Sequence, residues 1–127
     1  MTDVGSPGVC IGSYRHAVAD DVPEGHLVGG LVNGQQIVMA RVDGELYALD
    51  GECTHQYIDL CNSRLKGETI VCHLHGSGFN VKTGAVVKGP ATEPLRAHVA
   101  KVQGERILVG GEPACIRVTN TGLHDNG

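Results

Sequence analysis

A chain of 127 residues can bury one modest core and leaves no room for a second catalytic domain of ordinary size. Its 19 Gly, single Phe, three Tyr and lack of Trp require a core of Val, Ile, Leu and Ala between frequent turns, which favours short strands. Ten Lys and Arg against fourteen Asp and Glu give a net charge of -4, with no basic cluster longer than a residue pair, which argues against nucleic-acid binding.

The chain opens Met1-Thr2-Asp3-Val4-Gly5, without a basic leader or an apolar h-region. No apolar run approaches the roughly 20 residues that span a bilayer, so a cytoplasmic protein with no membrane partner is expected. From residue 9 to 109, short apolar stretches are cut by turns at Asn33-Gly34, Asp43-Gly44, Thr83-Gly84 and Gln103-Gly104. In chain order the pattern predicts antiparallel strands over 9–17, 26–32, 35–42, 45–49, 69–71, 79–81, 85–87, 95–102 and 106–109. No stretch has helical periodicity. Between Gly51 and Pro90 the strands shorten while Cys, His and Gly collect, which marks a loop-built site inserted into a strand scaffold. After Gly110-Gly111 one more strand is predicted over 115–119, followed by a polar end, so 111–127 reads as a peripheral tail of one domain spanning 1–127. The class is all-β, as a sandwich or a barrel.

Cys53-Thr54-His55 and Cys72-His73-Leu74-His75 give C-x-H, sixteen intervening residues, then C-x-x-H. Two loops each supply one thiolate and one imidazole. That division suits a 2Fe-2S cluster in which two Cys hold one iron and two His hold the other. The five Cys are an odd number in a chain without a secretory signal, which ranks metal ligation above a disulfide framework. Tetrahedral zinc is the alternative, but zinc sites usually pair ligands as C-x2-4-C or H-x3-5-H rather than mixing one Cys with one His in each loop.

With Cys53-Thr54-His55-Gln56, then Cys72-x-x-His75-Gly76-Ser77-x-Phe79, Thr83-Gly84 and Gly89-Pro90-Ala91-Thr92-Glu93-Pro94-Leu95, the chain resembles the Rieske-type 2Fe-2S ferredoxins of bacterial aromatic-ring-hydroxylating dioxygenase systems. The likeness spans about residues 9 to 110 and includes Pro23-Glu24-Gly25 and Asp43-Gly44-Glu45-Leu46-Tyr47-Ala48-Leu49. It implies a Rieske fold, with an antiparallel β-sandwich or barrel base and a small cluster-binding subdomain at about 51–90. It further implies that Cys53 and Cys72 hold the inner iron, that His55 and His75 hold the outer one with their edges to solvent, and that Gly89-Pro90-Ala91 covers the cluster. Where the high-potential branch has loop-bracing cysteines this chain has Ile58 and Leu74, and where that branch has a sulfur-bonding Tyr it has Phe79, which cannot donate. Ser77 matches a serine that can donate toward a bridging sulfide. The missing brace and the missing Tyr donor point to the low end of the Rieske range, roughly -150 mV rather than +300 mV, while Ser77 retains one of the two potential-raising hydrogen bonds. His73 and Tyr57 replace the family's usual Pro and small residue, so loop geometry is expected to differ there.

His73 is one residue away from the ligand position of C-x-x-H, and His16, His26, His98 and His124 read as surface residues. Cys61 reads as a small buried filler. Cys10 and Cys115 come from opposite ends and could pair in space, although a reducing compartment disfavours that bond. No G-x-G-x-x-G or P-loop pattern occurs, so no nucleotide site is indicated. The expected function is that of a carrier and not an enzyme: one electron passes from a flavin-dependent ferredoxin reductase to a terminal Rieske oxygenase. Ile58, Leu74, Pro90 and Ala91 beside Tyr57 would form the contact, and Asp59, Glu68 and Glu93 an acidic rim that steers a basic partner. The rivals are a small Rieske subunit of a nitrite-reductase-like complex and a zinc-stabilised structural module. A self-sufficient oxygenase would need a further facial triad on another domain.

Overall fold

The structure, a computed structural model, describes Cys10, residues 13–54, Leu60, residues 63–73 and residues 76–117. The chain begins with β1 (Tyr14–His16), β2 (Leu27–Val32), β3 (Gln35–Val42) and β4 (Glu45–Asp50). Next come β5 (Arg64–Lys66), β6 (Thr69–Val71), β7 (Gly78–Asn80) and β8 (Val86–Lys88). It ends with β9 (Ala97–His98), β10 (Ala100–Gln103), β11 (Arg106–Val109), β12 (Glu112–Pro113) and β13 (Cys115–Arg117). Every pairing between them is antiparallel. A six-stranded sheet has the order β1-β13-β2-β3-β4-β9, a three-stranded sheet β10-β11-β12 and a four-stranded sheet β5-β6-β7-β8.

The hairpins follow from turn chemistry. Asn33 and Gly34 between β2 and β3, and Asp43 and Gly44 between β3 and β4, all take positive φ, as a two-residue turn matched to strand twist requires. The Glu24 carboxylate caps the second turn, accepting from Asp43 N–H at 2.7 Å and Gly44 N–H at 2.8 Å.

β3 explains why there are two cores. Its successive residues Ile37, Val38, Met39 and Ala40 are all buried, because side chains alternate between faces and both faces are covered. Ile37 and Met39 meet Ile107 and Val109 of the three-stranded sheet, whereas Val38, Ala40 and Val42 meet Ile70 and Phe79 of the four-stranded sheet. The six-stranded sheet is therefore the middle layer, and the four-stranded sheet is the expected subdomain on one face of the base.

On the base, a short 3-10 turn at Ala19–Asp21 went unforeseen. The Arg15 guanidinium lies 2.9 Å from the Asp21 carboxylate and, by hydrogen bonding, holds that carboxyl below its ordinary range.

Two expectations are corrected. Residues 112–117 are not a peripheral tail: β12 pairs with β11, and β13 lies inside the six-stranded sheet between β1 and β2. Ala114, Cys115 and Ile116 are buried there. Gly30 admits the strand, because a Cβ at that position would approach Cys115 O at 2.7 Å and Met39 Cε at 3.0 Å. The expected strand over 95–102 is also split into β9 and β10, since the chain leaves the six-stranded sheet at exposed Val99 to join the three-stranded one.

A third correction concerns Cys10 and Cys115, which form a disulfide with a Cα–Cα distance of 5.9 Å across 105 residues of sequence. Seating β13 beside β1 brings the two ends of the chain together and places the thiols within bonding reach. Closing a loop of this order contributes up to about 4.7 kcal/mol by constraining the unfolded chain, so Cys10→Ser should cost about 3–5 kcal/mol in oxidised protein. Thermal unfolding with and without a thiol reductant measures this. Equal Tm values for wild type and variant under oxidising conditions would show that the bond does not form in solution.

Candidate metal centre

Three backbone segments converge at the end of β4. Asp50 N–H donates to Arg96 O at 2.9 Å and Gly51 N–H to Gln36 O at 3.0 Å, which fixes where the first loop leaves the sheet. Gly51 has no room for a side chain, since a Cβ would lie 2.9 Å from the Gln36 carbonyl carbon. Leu60 N–H returns to Gly51 O at 2.8 Å and closes the base of that loop. The second loop leaves β6 at Cys72, whose N–H donates to Ser77 O at 2.8 Å, while Gly76 N–H donates to Cys72 O at 3.1 Å. Gly76 takes φ +77°, which lets the chain reverse so tightly.

Cys53 and Cys72, from the two loops, enter one apolar cluster with Leu60, Ile70, Phe79, Ala91 and Leu95. Their exposures of 1% and 2% place both thiols in the interior, and neither is in a disulfide. Packing of this kind brings them together although 18 residues intervene.

The third segment covers the same place. Ala91 N–H donates to Ser77 Oγ at 3.0 Å and the Thr54 hydroxyl to Glu93 O at 2.6 Å, so the 89–95 stretch is tied to both other loops. Gly84 anchors its far end: the carbonyl accepts from Leu95 N–H at 2.8 Å, and a Cβ on Gly84 would run into the Leu95 carbonyl oxygen.

Ser77 is the single buried polar side chain among the described residues. Its oxygen accepts from Ala91, but its own hydroxyl proton meets no acceptor among them. A buried hydroxyl without an acceptor is costly, so a partner beyond these protein atoms is expected at this point. Two buried thiols, and a buried hydroxyl with no acceptor among the described residues, fit a sulfide-containing metal cluster.

Of the predicted ligands, Cys53 and Cys72 are brought together, while His55 and His75 lie outside the described residues, as do Tyr57, Ile58, Asp59, Cys61, Leu74 and His124. For that reason no group of three or more metal-ligating side chains converges among the described residues. His73 is exposed and is engaged by Ser63, whose Oγ accepts its N–H at 3.2 Å.

Three surface expectations change. Ala91 is buried rather than part of a contact patch, while Pro90 beside it is exposed. Glu68 is drawn to Lys82 at 3.5 Å, which weakens it as a steering charge. His98 is not a free surface residue: its Nε2 lies 2.7 Å from Asp50 Oδ1 and its side chain is 19% exposed. Sequence reasoning had no access to this brace, because the Ala48↔His98 pairing of β4 and β9 joins distant segments. Thr54 and Gly84 were likewise quoted only as parts of motifs, without the loop-tying roles they play here.

A family model described as Rieske [2Fe-2S] domain matches residues 12–103. The ferredoxin component of naphthalene 1,2-dioxygenase/salicylate 5-hydroxylase systems from a Ralstonia species is 38% identical over 93 residues, covering 73% of this chain and 89% of that protein. The fold is similar to the ferredoxin of carbazole 1,9a-dioxygenase from Nocardioides aromaticivorans IC177, with a TM-score of 0.69 and 32% identity over 75% of this chain and 93% of that one. A structure described as a complex of reduced oxygenase and oxidized ferredoxin in carbazole 1,9a-dioxygenase matches with a TM-score of 0.70 and 30% identity, over 80% and 95% of the two chains.

Because Gly84 combines a positive φ with contact to the Leu95 carbonyl, Gly84→Ala should destabilise the protein by roughly 2–3 kcal/mol and loosen the third loop. Urea melts give the first quantity, and hydrogen exchange of the 89–95 peptide the second. Unchanged exchange in that peptide would show that the loop does not depend on this anchor.

Proposed function

The chain belongs to the Rieske [2Fe-2S] domain family, and from that premise we propose that Cys53, His55, Cys72 and His75 hold its cluster. It carries one Rieske-type 2Fe-2S cluster and is an electron-transfer component, not the catalytic enzyme, of an aromatic-ring dioxygenase system. The observation that carries the ligand assignment is the burial of both thiols in one apolar cluster, with Ser77, bonded through its backbone to Cys72, holding a buried hydroxyl that has no acceptor among the described residues. Cys53 and Cys72 would hold the inner iron inside the apolar cluster, and His55 and His75 the outer iron toward solvent.

When bound, the cluster supplies reversible uptake of one electron. The protein's part is to position it and set its potential. Ala91 N–H fixes the Ser77 oxygen, and the hydroxyl proton would then be available to stabilise negative charge on the cluster's sulfur. Phe79, fully buried in the same cluster, offers no donor, so the potential should lie nearer -150 mV than +300 mV.

The proposed route runs from a flavin-dependent ferredoxin reductase through this chain to a terminal Rieske oxygenase. A relative of similar fold is described in complex with an oxygenase, which supports the second half of the route. Pro90 is exposed at the third loop, and Glu93 beside it has no ion-pair partner among the described residues, so both are available to a docking partner. The relatives are named ferredoxin components, which favours a carrier over a nitrite-reductase-like subunit. Among the described residues no helix is long and apolar enough to cross a membrane. A cytoplasmic location beside the reductase is the finer reading, and there the Cys10–Cys115 bond would face thiol reductants.

Visible absorption and electron paramagnetic resonance before and after dithionite reduction test the assignment. Wild type and His73→Ala should show a Rieske signal, whereas His55→Ala and His75→Ala should lose it. A colourless, zinc-containing protein would reject the cluster.

Ser77→Ala should keep the signal but lower the potential by roughly 60–130 mV, the equivalent of a charge-assisted hydrogen bond of about 1.5–3 kcal/mol at 59 mV per tenfold. Voltammetry reads the shift directly. A potential within error of wild type would mean that the hydroxyl does not face the cluster.

A further inference from the structure

The outer face of the four-stranded sheet has a feature that holding a cluster does not require. Its register aligns Arg64 with Val71, Val71 with Gly78 and Gly78 with Lys88, and sets Lys66 opposite Thr69 in the neighbouring row. Gly78 contributes no side chain to the middle of this row, and a Cβ there would crowd Thr69 Cγ2 at 3.1 Å and Lys88 Cβ at 3.4 Å. The gap opens a cleft of about 600 Å³ whose lining includes Arg64, Lys66, Val71, Val87 and Lys88. Val87 at its edge is 58% exposed and offers an apolar surface to the cleft.

The charges are as distinctive as the shape. Arg64, Lys66 and Lys88 are all exposed, and none has an ion-pair partner among the described residues. The acid of the same hairpin, Glu68, is turned away to Lys82 at 3.5 Å and Asn80 at 3.4 Å. In a chain of net charge -4, three uncompensated cations around an apolar gap form a local field opposite to that of the whole molecule. Gly76, the residue that follows His75, lines the same cleft, so whatever docks there sits beside the second loop.

We infer that this face docks an acidic protein surface, with carboxylates on Arg64, Lys66 and Lys88 and a small apolar side chain over Gly78 between Val71 and Val87. The inference rests on the carrier reading and deepens it, because it makes the occupant a redox partner and assigns that partner negative charge. A protein is favoured over a nucleic acid because Val71 and Val87 provide an apolar contact and, among the described residues, no aromatic side chain lines the cleft to stack on a base.

The test is fluorescence anisotropy of holoprotein with three labelled probes. These are the peptide acetyl-Asp-Glu-Leu-Glu-Asp-amide, its counterpart with Lys and Arg at the acidic positions, and a single-stranded oligonucleotide. The acidic peptide should bind at low salt, and its affinity should fall about tenfold or more in R64E/K66E/K88E and at high ionic strength. The variant K101E/R106E/R117E reverses as many charges at exposed positions on the base and should bind within about twofold of wild type. No binding of the acidic peptide, equal effects of the two variants, or tighter binding of the oligonucleotide would each overturn the inference. Paramagnetic resonance of the same samples separates this from the underlying reading: a retained Rieske signal leaves the carrier standing when docking fails, and a missing signal removes the carrier whatever the peptide does.

Discussion

The site depends on a single buried hydrogen bond, from Ala91 N–H to Ser77 Oγ. Ser77 belongs to the second loop and Ala91 to the third, so the bond fixes the distance between the cover and what it covers. It also satisfies a backbone donor that would otherwise be buried unpaired, at a cost of about 1–3 kcal/mol. With one lone pair taken by Ala91 N–H, the hydroxyl still has its proton to offer. One interaction thus holds the loop, orients the side chain and leaves a donor with no acceptor among the described residues.

That interaction is precise only because its supports are stiff. The middle sheet is buried on both faces at β3, so neither the base nor the subdomain can shift without disturbing the other's core. Both cluster loops are closed at their bases by backbone hydrogen bonds, Leu60 to Gly51 and Cys72 to Ser77. The Asp50–His98 and Thr54–Glu93 contacts add lateral ties from β9 and from the third loop. The proposed thiolate ligands are held by burial in the apolar cluster of the subdomain, which suits an inner iron that must be fixed in place.

Much of this was legible in the sequence wherever the cause is local. β3, β6 and β11 fall on the expected residues, and the Asn33-Gly34 and Asp43-Gly44 turns follow from the φ values those pairs can adopt. Cys53 and Cys72, expected to act together from their spacing to histidines, do share one buried cluster. What was missed depends on partners far away in the chain. β5 has a single apolar residue and β12 contains Pro113, so neither has a strand signature of its own and both exist because a neighbour pairs with them. β13 is seated by the missing side chain of Gly30, a long-range steric fact, and the Cys10–Cys115 bond is a further consequence of that seating. His98 was read as a surface residue because nothing near it in sequence reveals Asp50.

A carrier must release the electron it accepts, so its potential must fall between those of donor and acceptor, and few groups here are able to set it. Each 59 mV corresponds to about 1.4 kcal/mol for a one-electron couple, so one hydrogen bond to sulfur shifts the balance between the two partners by an order of magnitude. Phe79 and Ser77 stand two residues apart around β7, both fully buried, one unable to donate and the other free to do so. Apolar burial of the cysteines acts in the same direction as Phe79, since it withholds the water that would stabilise added negative charge. On this account the potential is governed by the interior of the subdomain, while the choice of partner is governed by its surface. The two can vary independently, because the strands that bury Ile70 and Phe79 on the core side present Thr69, Val71 and Gly78 on the other.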